Sequence, residues 1–488
     1  MKKSLENIDY SDNFVIFQCI EKQAYRSRKC LIQRKNRKKY GKTLTSTIER
    51  FSIHLTDYQS IFRSKTKVYF DKAELYTQGI IKSHMRNIER ISEELGANYH
   101  QMQHFITESN WDGREVIDKV AKDVSTSLPK RKLTGMVIDE SGWVKKGDKS
   151  VGVGHQYCGN VGKTANSQVA VFACLSNGDF ASMIDARLYL PKDWCDDRDR
   201  CEETGIPENE RLFKTKLELA GEIICHQIAQ GISFDFVTAD GYYGNDASFA
   251  RSINTMGLLY MLDIHTDQTI YLEYPELVLP ERKGTKGPEP KKLIAIIDNT
   301  TVSKYLKTLG NNDWETLTVR NTTKGKLKGE YHFAQVYIWD KKINEIEPKL
   351  LVIRKTKSKK NAIEIKYSFT NANLEQYTPE VLAYMQAERF FVEHCIKESK
   401  QILGLDQFQT RLWNAWVHQG ALNFMVSSFM LKEKLFCFED LPLLSARDIK
   451  EYLTFKLYKN MTEEQMINRI YNWHLIRQID INNSYLRV

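Results

Sequence analysis

Two short apolar runs of β type, Leu133 to Asp139 (LTGMVID) and Phe234 to Asp240 (FDFVTAD), each close on an aspartate, and the chain around them leaves few ways to arrange them. After the first come SVGVGHQY, SQVAVFACL and ASMIDARLYL, separated by turns rich in Gly, Asn and Lys, which read as a three-stranded meander. A helical stretch from about Glu208 to Gln230 leads into the second run. A helix from Asn245 to Met256 and the strand LLYMLDI follow. The order β-β-β-α-β-α-β predicts that the first and fourth strands lie side by side and parallel at the sheet centre. Both aspartates then emerge at one sheet edge, within reach of a shared cation. A carboxylate left unpaired near a buried strand end is costly. The plainer alternative is that each acid caps the turn that follows it.

That order is the ribonuclease H-like one, so the expected fold class is α/β: a ribonuclease H-like mixed-sheet core with helical N- and C-terminal regions. Residues 1–132 read as a helical, basic DNA-binding region, with Asp71 to Leu95 as one helix on which Leu75, Ile80, Ile81, Met85, Ile88 and Ile91 recur near a 3.6-residue period. Residues 133–266 form the first part of the core. Residues 267–375, with Pro- and Gly-rich loops and β-type segments such as YHFAQVYIWD, read as a basic, mostly β insertion subdomain. Residues 376–440 return to the core as helices, and 441–488 form a helical tail.

Composition supports a folded chain of several domains: 488 residues are 42% hydrophobic and 27% charged. The formal net charge is +9, but its distribution is more informative. Lys22 to Lys42 holds ten basic residues and no acid, and Arg282 to Lys366 holds twenty basic against nine acidic. Two basic blocks in an otherwise acidic chain suggest a polyanion held by dedicated surfaces, nucleic acid being the commonest. Solvated basic loops are the alternative. Within the first block, Arg34, Lys35, Arg37, Lys38 and Lys39 are candidate DNA contacts. Nine cysteines without a CxxC pair predict reduced thiols rather than a zinc site or a disulfide framework. No apolar run reaches a membrane span, and the first residues lack the apolar stretch of a signal peptide, so the expected location is the cytoplasm.

A third acid lies on a predicted long helix from about Pro379 to Leu403. At about 100° per residue, Glu393 and Lys400 fall on the face of Arg389, with Gln386 close by, whereas Glu398 lies on the opposite side. An Arg-Glu-Lys face is otherwise a solvated ion-pair ladder. Three carboxylates converging at one sheet edge would bind two Mg²⁺ or Mn²⁺ ions, the arrangement for in-line phosphoryl displacement. HExxH, GxSxG and GxxxxGK[ST] are absent, and the glycines of GVGHQYCG sit in a turn between strands.

The spacing Arg389, three residues, Glu393, six residues, Lys400 resembles that of DDE transposases of bacterial insertion sequences, in the cut-and-paste group with the Y-(2)-R-(3)-E-(6)-K signature. The stretches 102–112, 138–171, 185–194, 238–244 and 403–413 resemble the same family. Gln386 stands at the tyrosine position, with Tyr384 nearby. His155 and Glu140 stand where Arg and Asp are expected. The resemblance implies Asp139, Asp240 and Glu393 as the catalytic, metal-binding triad. It also implies cleavage of double-stranded DNA at transposon ends with water, joining of the freed 3′-hydroxyls to target DNA, and a homodimer in the active complex. Arg389 and Lys400, with Gln386 and Tyr384, are then candidate contacts to end DNA, and Trp339 a candidate for stacking on a flipped base. A tryptophan in a β run is otherwise a core residue. Competing expectations are a metal-dependent nuclease or resolvase on the same core, and a catalytically retired transposase that only binds DNA.

Overall fold

The computed structural model describes residues 39–130, 132–281, 290–322, 325–357, 362–458 and 462–485. Ten strands form one mixed sheet: β1 (Gly135–Val144), β2 (Gly154–Cys158), β3 (Lys163–Ser176), β4 (Ala181–Leu188), β5 (Phe236–Ala239), β6 (Leu259–Asp263), β7 (Glu315–Thr322), β8 (Gly325–Asp340), β9 (Glu345–Lys357) and β10 (Ile363–Thr370). Their order is β7-β8-β9-β10-β6-β5-β1-β3, with β2 and β4 sharing the far side of β3. Only β1/β5 and β5/β6 are parallel. The run Met136-Val137-Ile138 and all of β5 are buried, as a strand covered on both faces requires.

The first and fourth strands of the predicted series are therefore adjacent and parallel. Two details differ from the sequence reading. β1 runs past Asp139 to Val144, because β3 continues to pair with it (Asp139↔Phe172, Val144↔Ser167) after its parallel partner has ended. The SVGVGHQY run is not the second member of a meander: only Gly154–Cys158 is strand, and it pairs with β3 at the edge, so the sheet neighbour of β1 is β3. The β-rich stretch after residue 267 continues the same sheet, since β10 pairs antiparallel with β6.

Among the described residues, the helices α1 (Thr47–Thr56), α2 (Phe70–Lys82), α3 (Ile88–Leu95), α4 (Tyr99–Thr107) and α5 (Gly113–Ser127) precede the sheet. The single helix expected over Asp71 to Leu95 is two, α2 and α3. Ser83 leaves α2 in extended conformation, and Asn87 caps α3 by accepting from the Arg90 amide. Met85 falls in the break and is exposed. Between strands lie α6 (Lys216–Ala229), opened by a Thr215/Glu218 capping box, and α7 (Ala247–Thr255).

The long helix predicted from Pro379 also divides, into α8 (Pro379–Ala387) and α9 (Phe390–Leu403). At the junction Glu388 turns inward, fully buried, and accepts from the Gly178 amide at 2.9 Å and from the Ser176 hydroxyl. The apolar α10 (Trp413–Cys437) runs through the helical layer against α5 and β4, followed by α11 (Ala446–Tyr458) and α12 (Glu463–Tyr485). Among the described residues no helix is long and apolar enough to cross a membrane.

Candidate active site

The strand register brings three aspartates level. Val137 pairs with Thr238 and Ala239 with Leu262, so Asp139 and Asp240 lie two steps beyond the first ladder and Asp240 and Asp263 one step beyond the second, level at the same edge of β1, β5 and β6. Asp240 caps the turn Gly241–Gly244, accepting from the Tyr242 amide at 3.0 Å, so it has the capping role weighed against the catalytic one. One Asp139 oxygen accepts from the Glu140 amide at 2.8 Å. Glu140 is itself paired with Lys216 at 3.1 Å.

Across this edge lies the start of α9, and Arg389 occupies the middle of the group. Its Nη1 is 3.3 Å from Asp139, Nη2 is 2.5 Å from Glu393, and Nε is 3.1 Å from Asp263. The Nε contact is an ion pair by distance, with its N–H not aimed well enough at the oxygen for a hydrogen bond. One guanidinium thus serves four carboxylates, since Asp240 also acts on it. The shortage of positive charge is visible in Asp139. Burial pushes its carboxyl up to about 7, against the pull of Arg389, and Asp240, Glu140 and Glu393 push it further. Asp240 is raised by burial and by Glu140.

The donor set is all oxygen, with carboxylates in excess of cations, which suits a hard divalent cation. Among the described residues no three acids, histidines or cysteines stand close enough to cage an ion as they are. Arg389 lies between them instead, where a cation is wanted.

Asp263 was not singled out in the sequence, although the signal existed: LYMLD repeats the pattern of FVTAD, an apolar strand closing on an aspartate. Its other oxygen accepts from the Ser368 hydroxyl at 2.6 Å, and Ser368 in turn accepts from Gln386 Nε2 at 2.9 Å.

The other singled-out residues fall in three groups. Lys400 is buried beside the site, its Nζ donating to Ser141 Oγ at 2.8 Å and to the Gly142 carbonyl at 2.9 Å, so it fastens α9 to β1. Gln386 and Tyr384 are both buried, Gln386 bonding to Ser368 and Tyr384 donating to the Leu133 carbonyl at 2.7 Å, so Gln386 does not share the open face of Arg389 that the helical angles gave it. The break at Glu388 is the reason, since it takes α8 off the phase that the angles on α9 assumed. Trp339, on β8, is half-buried with Lys341 over its ring at 5.2 Å and its indole N–H unbonded. Arg34, Lys35, Arg37 and Lys38 lie outside the described residues. Lys39 is exposed and pairs with Asp440 at 2.6 Å.

A chain with acids level on adjacent parallel strands, and another on a helix across the sheet edge, has the frame of a nucleic-acid-cutting enzyme. It belongs to the DDE superfamily endonucleases, whose family model matches residues 58–326. That stretch contains Asp139, Asp240 and Asp263, while Glu393 lies beyond it. The chain is also similar to the probable transposase for insertion sequence element IS701 of Microchaete diplosiphon, at 24% identity over 329 residues, covering 66% of this chain and 72% of that protein. Among solved structures it is similar to the piggyBac transposase synaptic complex with hairpin DNA. There the identity is 10% and the TM-score 0.30, over 93% of this chain and 85% of that one, too slight a likeness to carry an argument. Members of the superfamily generally use divalent metal ions.

Proposed function

We propose that the chain is a DNA transposase that cleaves transposon ends and joins the freed 3′-hydroxyls to target DNA, on a ribonuclease H-like core with a β-rich insertion. Asp139, Asp240 and Glu393 are its metal-binding triad. The observation that carries the reading is the convergence of these acids, with Asp263, on one guanidinium at the edge of the parallel strands. The strand order β4-β3-β1-β5-β6, with helices between β4, β5 and β6, supports the ribonuclease H-like core. Family membership and the resemblance to an insertion-sequence transposase support the substrate and the joining step.

Two Mg²⁺ or Mn²⁺ ions held by these carboxylates would supply activation of water or of a 3′-hydroxyl and neutralisation of charge at the attacked phosphate. The chain's own residues prepare that place. β1 and β5 fix Asp139 and Asp240 on a rigid sheet, and Lys400 ties the third acid's helix to β1. Arg389, held by Asp263, orients Glu393 and offers charge-assisted donors to a phosphate oxygen. DNA lies across this edge, with the basic β-rich stretch and the N-terminal basic block contributing backbone contacts, in a homodimer.

The test is excision of a marked cassette bounded by the gene's own flanking DNA, with wild type and Glu393→Gln compared in Mg²⁺. Excision and reintegration by wild type alone is the expected result. Cleavage without joining would replace the reading with a nuclease or resolvase. DNA binding without reaction in either protein would replace it with a retired transposase.

A further inference from the structure

Arg86 is a guanidinium only 5% exposed; its amide donates to Gln407 Oε1 at 2.9 Å, and Asp406 acts on it only from beyond ion-pair distance, so burial lowers it. It follows the end of α2, where its Nη1 donates to the neutral His84 carbonyl at 2.8 Å and its Nε reaches the Ile80 carbonyl at 3.4 Å. Beside it lies a cavity of about 620 Å³ between the end of α2, the last turn of α9 and α11, away from the carboxylate edge. Lys82, Arg447 and Lys450 line the cavity with Arg86, and Glu451 is the one carboxylate in the lining.

So many cations in one concave space repel each other. Burial, with Arg86 and Arg447 close by, depresses the Lys450 ammonium to about 8. Arg447 and Lys450 also stand in the first turns of α11, where the helix's own positive end disfavours cations and favours an anion. The acid of that turn, Asp448, faces its cap instead, accepting from the Ser445 amide at 3.0 Å and its hydroxyl at 2.8 Å. Lys82 and Glu451 have contacts of their own, so Arg86, Arg447 and Lys450 leave the cavity an excess of positive charge, on two elements that are far apart in sequence.

We propose that this cavity is a phosphate-binding site, with Arg86, Arg447 and Lys450 as charge-assisted donors converging on one group. Guanidiniums favour the planar, two-pronged contact that phosphate oxygens accept. The cavity has the volume of an ordinary small-molecule site, enough for a nucleotide and too small for a duplex. Its phosphate belongs to a nucleic-acid strand threaded past α11 or to a free phosphorylated compound. Such a site needs none of the sheet-edge acids, and so goes beyond the DNA-cutting reading.

The experiment is calorimetric titration of the full chain with inorganic phosphate at low salt in EDTA, which strips divalent ions from the sheet edge. Saturable binding is expected, about tenfold weaker in Arg447→Ala and in Lys450→Ala, restored in Lys450→Arg, and unchanged in Asp139→Asn. Arg447 is exposed and Lys450 only half-buried, so circular dichroism should show both alanine variants folded. Competition by a short single-stranded oligonucleotide would assign the phosphate to a nucleic-acid strand. Competition by a mononucleotide alone would assign it to a free compound. Absence of saturable binding in wild type, equal affinity in the alanine variants, or loss of binding in Asp139→Asn would overturn the site.

Discussion

Asp139 and Asp185 are both aspartates of the central sheet with little access to water, and their carboxyls shift in opposite directions. Asp185, on β4, is 0% exposed. Burial raises it, but Arg114 at 2.6 Å and Arg187 at 2.9 Å outweigh that, with Gln227 donating at 2.8 Å, and it stays below the ordinary carboxylate range. Asp139 pays the same desolvation yet shares one guanidinium with three other acids, and ends near 7. Two guanidiniums face the first, whereas four acids share one around the second. A buried carboxylate with its charges balanced is a structural part. On the proposed function, one held without enough positive charge is the place for a cation that comes from outside.

That contrast can be broken by substitution. The largest effect is expected from Asp139→Asn: strand cleavage should fall about a thousandfold, the order of several kcal/mol of transition-state stabilisation, while the metal-free protein melts no lower than wild type. Asp185→Asn should do the reverse. It takes its acid from Arg187 and leaves Arg114 with Asp118 alone, and should cost about 3 kcal/mol in a denaturant titration, with cleavage per folded molecule preserved. A destabilised Asp139→Asn together with an inactive but stable Asp185→Asn would invert the assignment.

Asp263→Asn should sharpen the picture. If Asp263 positions Arg389, its loss should weaken divalent-ion binding or cleavage by about ten- to a hundredfold. Calorimetry with Mn²⁺ gives a readout independent of turnover, and unchanged affinity and rate would leave Asp263 as a bystander.

The pH dependence is a smaller effect. Burial pushes Glu388 up to about 7, against the Ser176 hydroxyl and Arg320, so the folded protein holds a proton there that the unfolded chain releases near 4. The contribution is present below about pH 4 and is lost as pH rises toward 7. The stability of wild type should therefore fall across that interval by about 1 to 3 kcal/mol relative to Glu388→Gln. A difference that grows in the opposite direction would refute the assigned shift. The smallest change belongs to Glu398→Gln. Glu398 lies across α9 from Glu393, paired with Lys434 at 3.2 Å, and its loss should cost less than about 1 kcal/mol and no activity.

Much of the site was legible because its signals are local. An apolar run closing on an acid marks Asp139 and Asp240, and a 100° step places Glu393 with Arg389 and Lys400. The same arithmetic failed at Gln386, because the buried Glu388 side chain interrupts the helix and no periodicity records that. It also ran α2 and α3 together, since the apolar period continues across Ser83 to Asn87 while the backbone does not.

The sequence by itself determined the order of strands and helices, the identity of the acids and the positions of the basic blocks, because periodicity, turn chemistry and charge are properties of neighbouring residues. Only the tertiary structure decided that Asp263 joins the group, that Arg389 stands among four carboxylates, and that Arg86 meets Arg447 and Lys450 at one cavity. These are meetings of residues dozens to hundreds of positions apart. Their energies depend on how much water each group has lost and which charges the fold brings beside it, which exists only once the sheet and helices have packed.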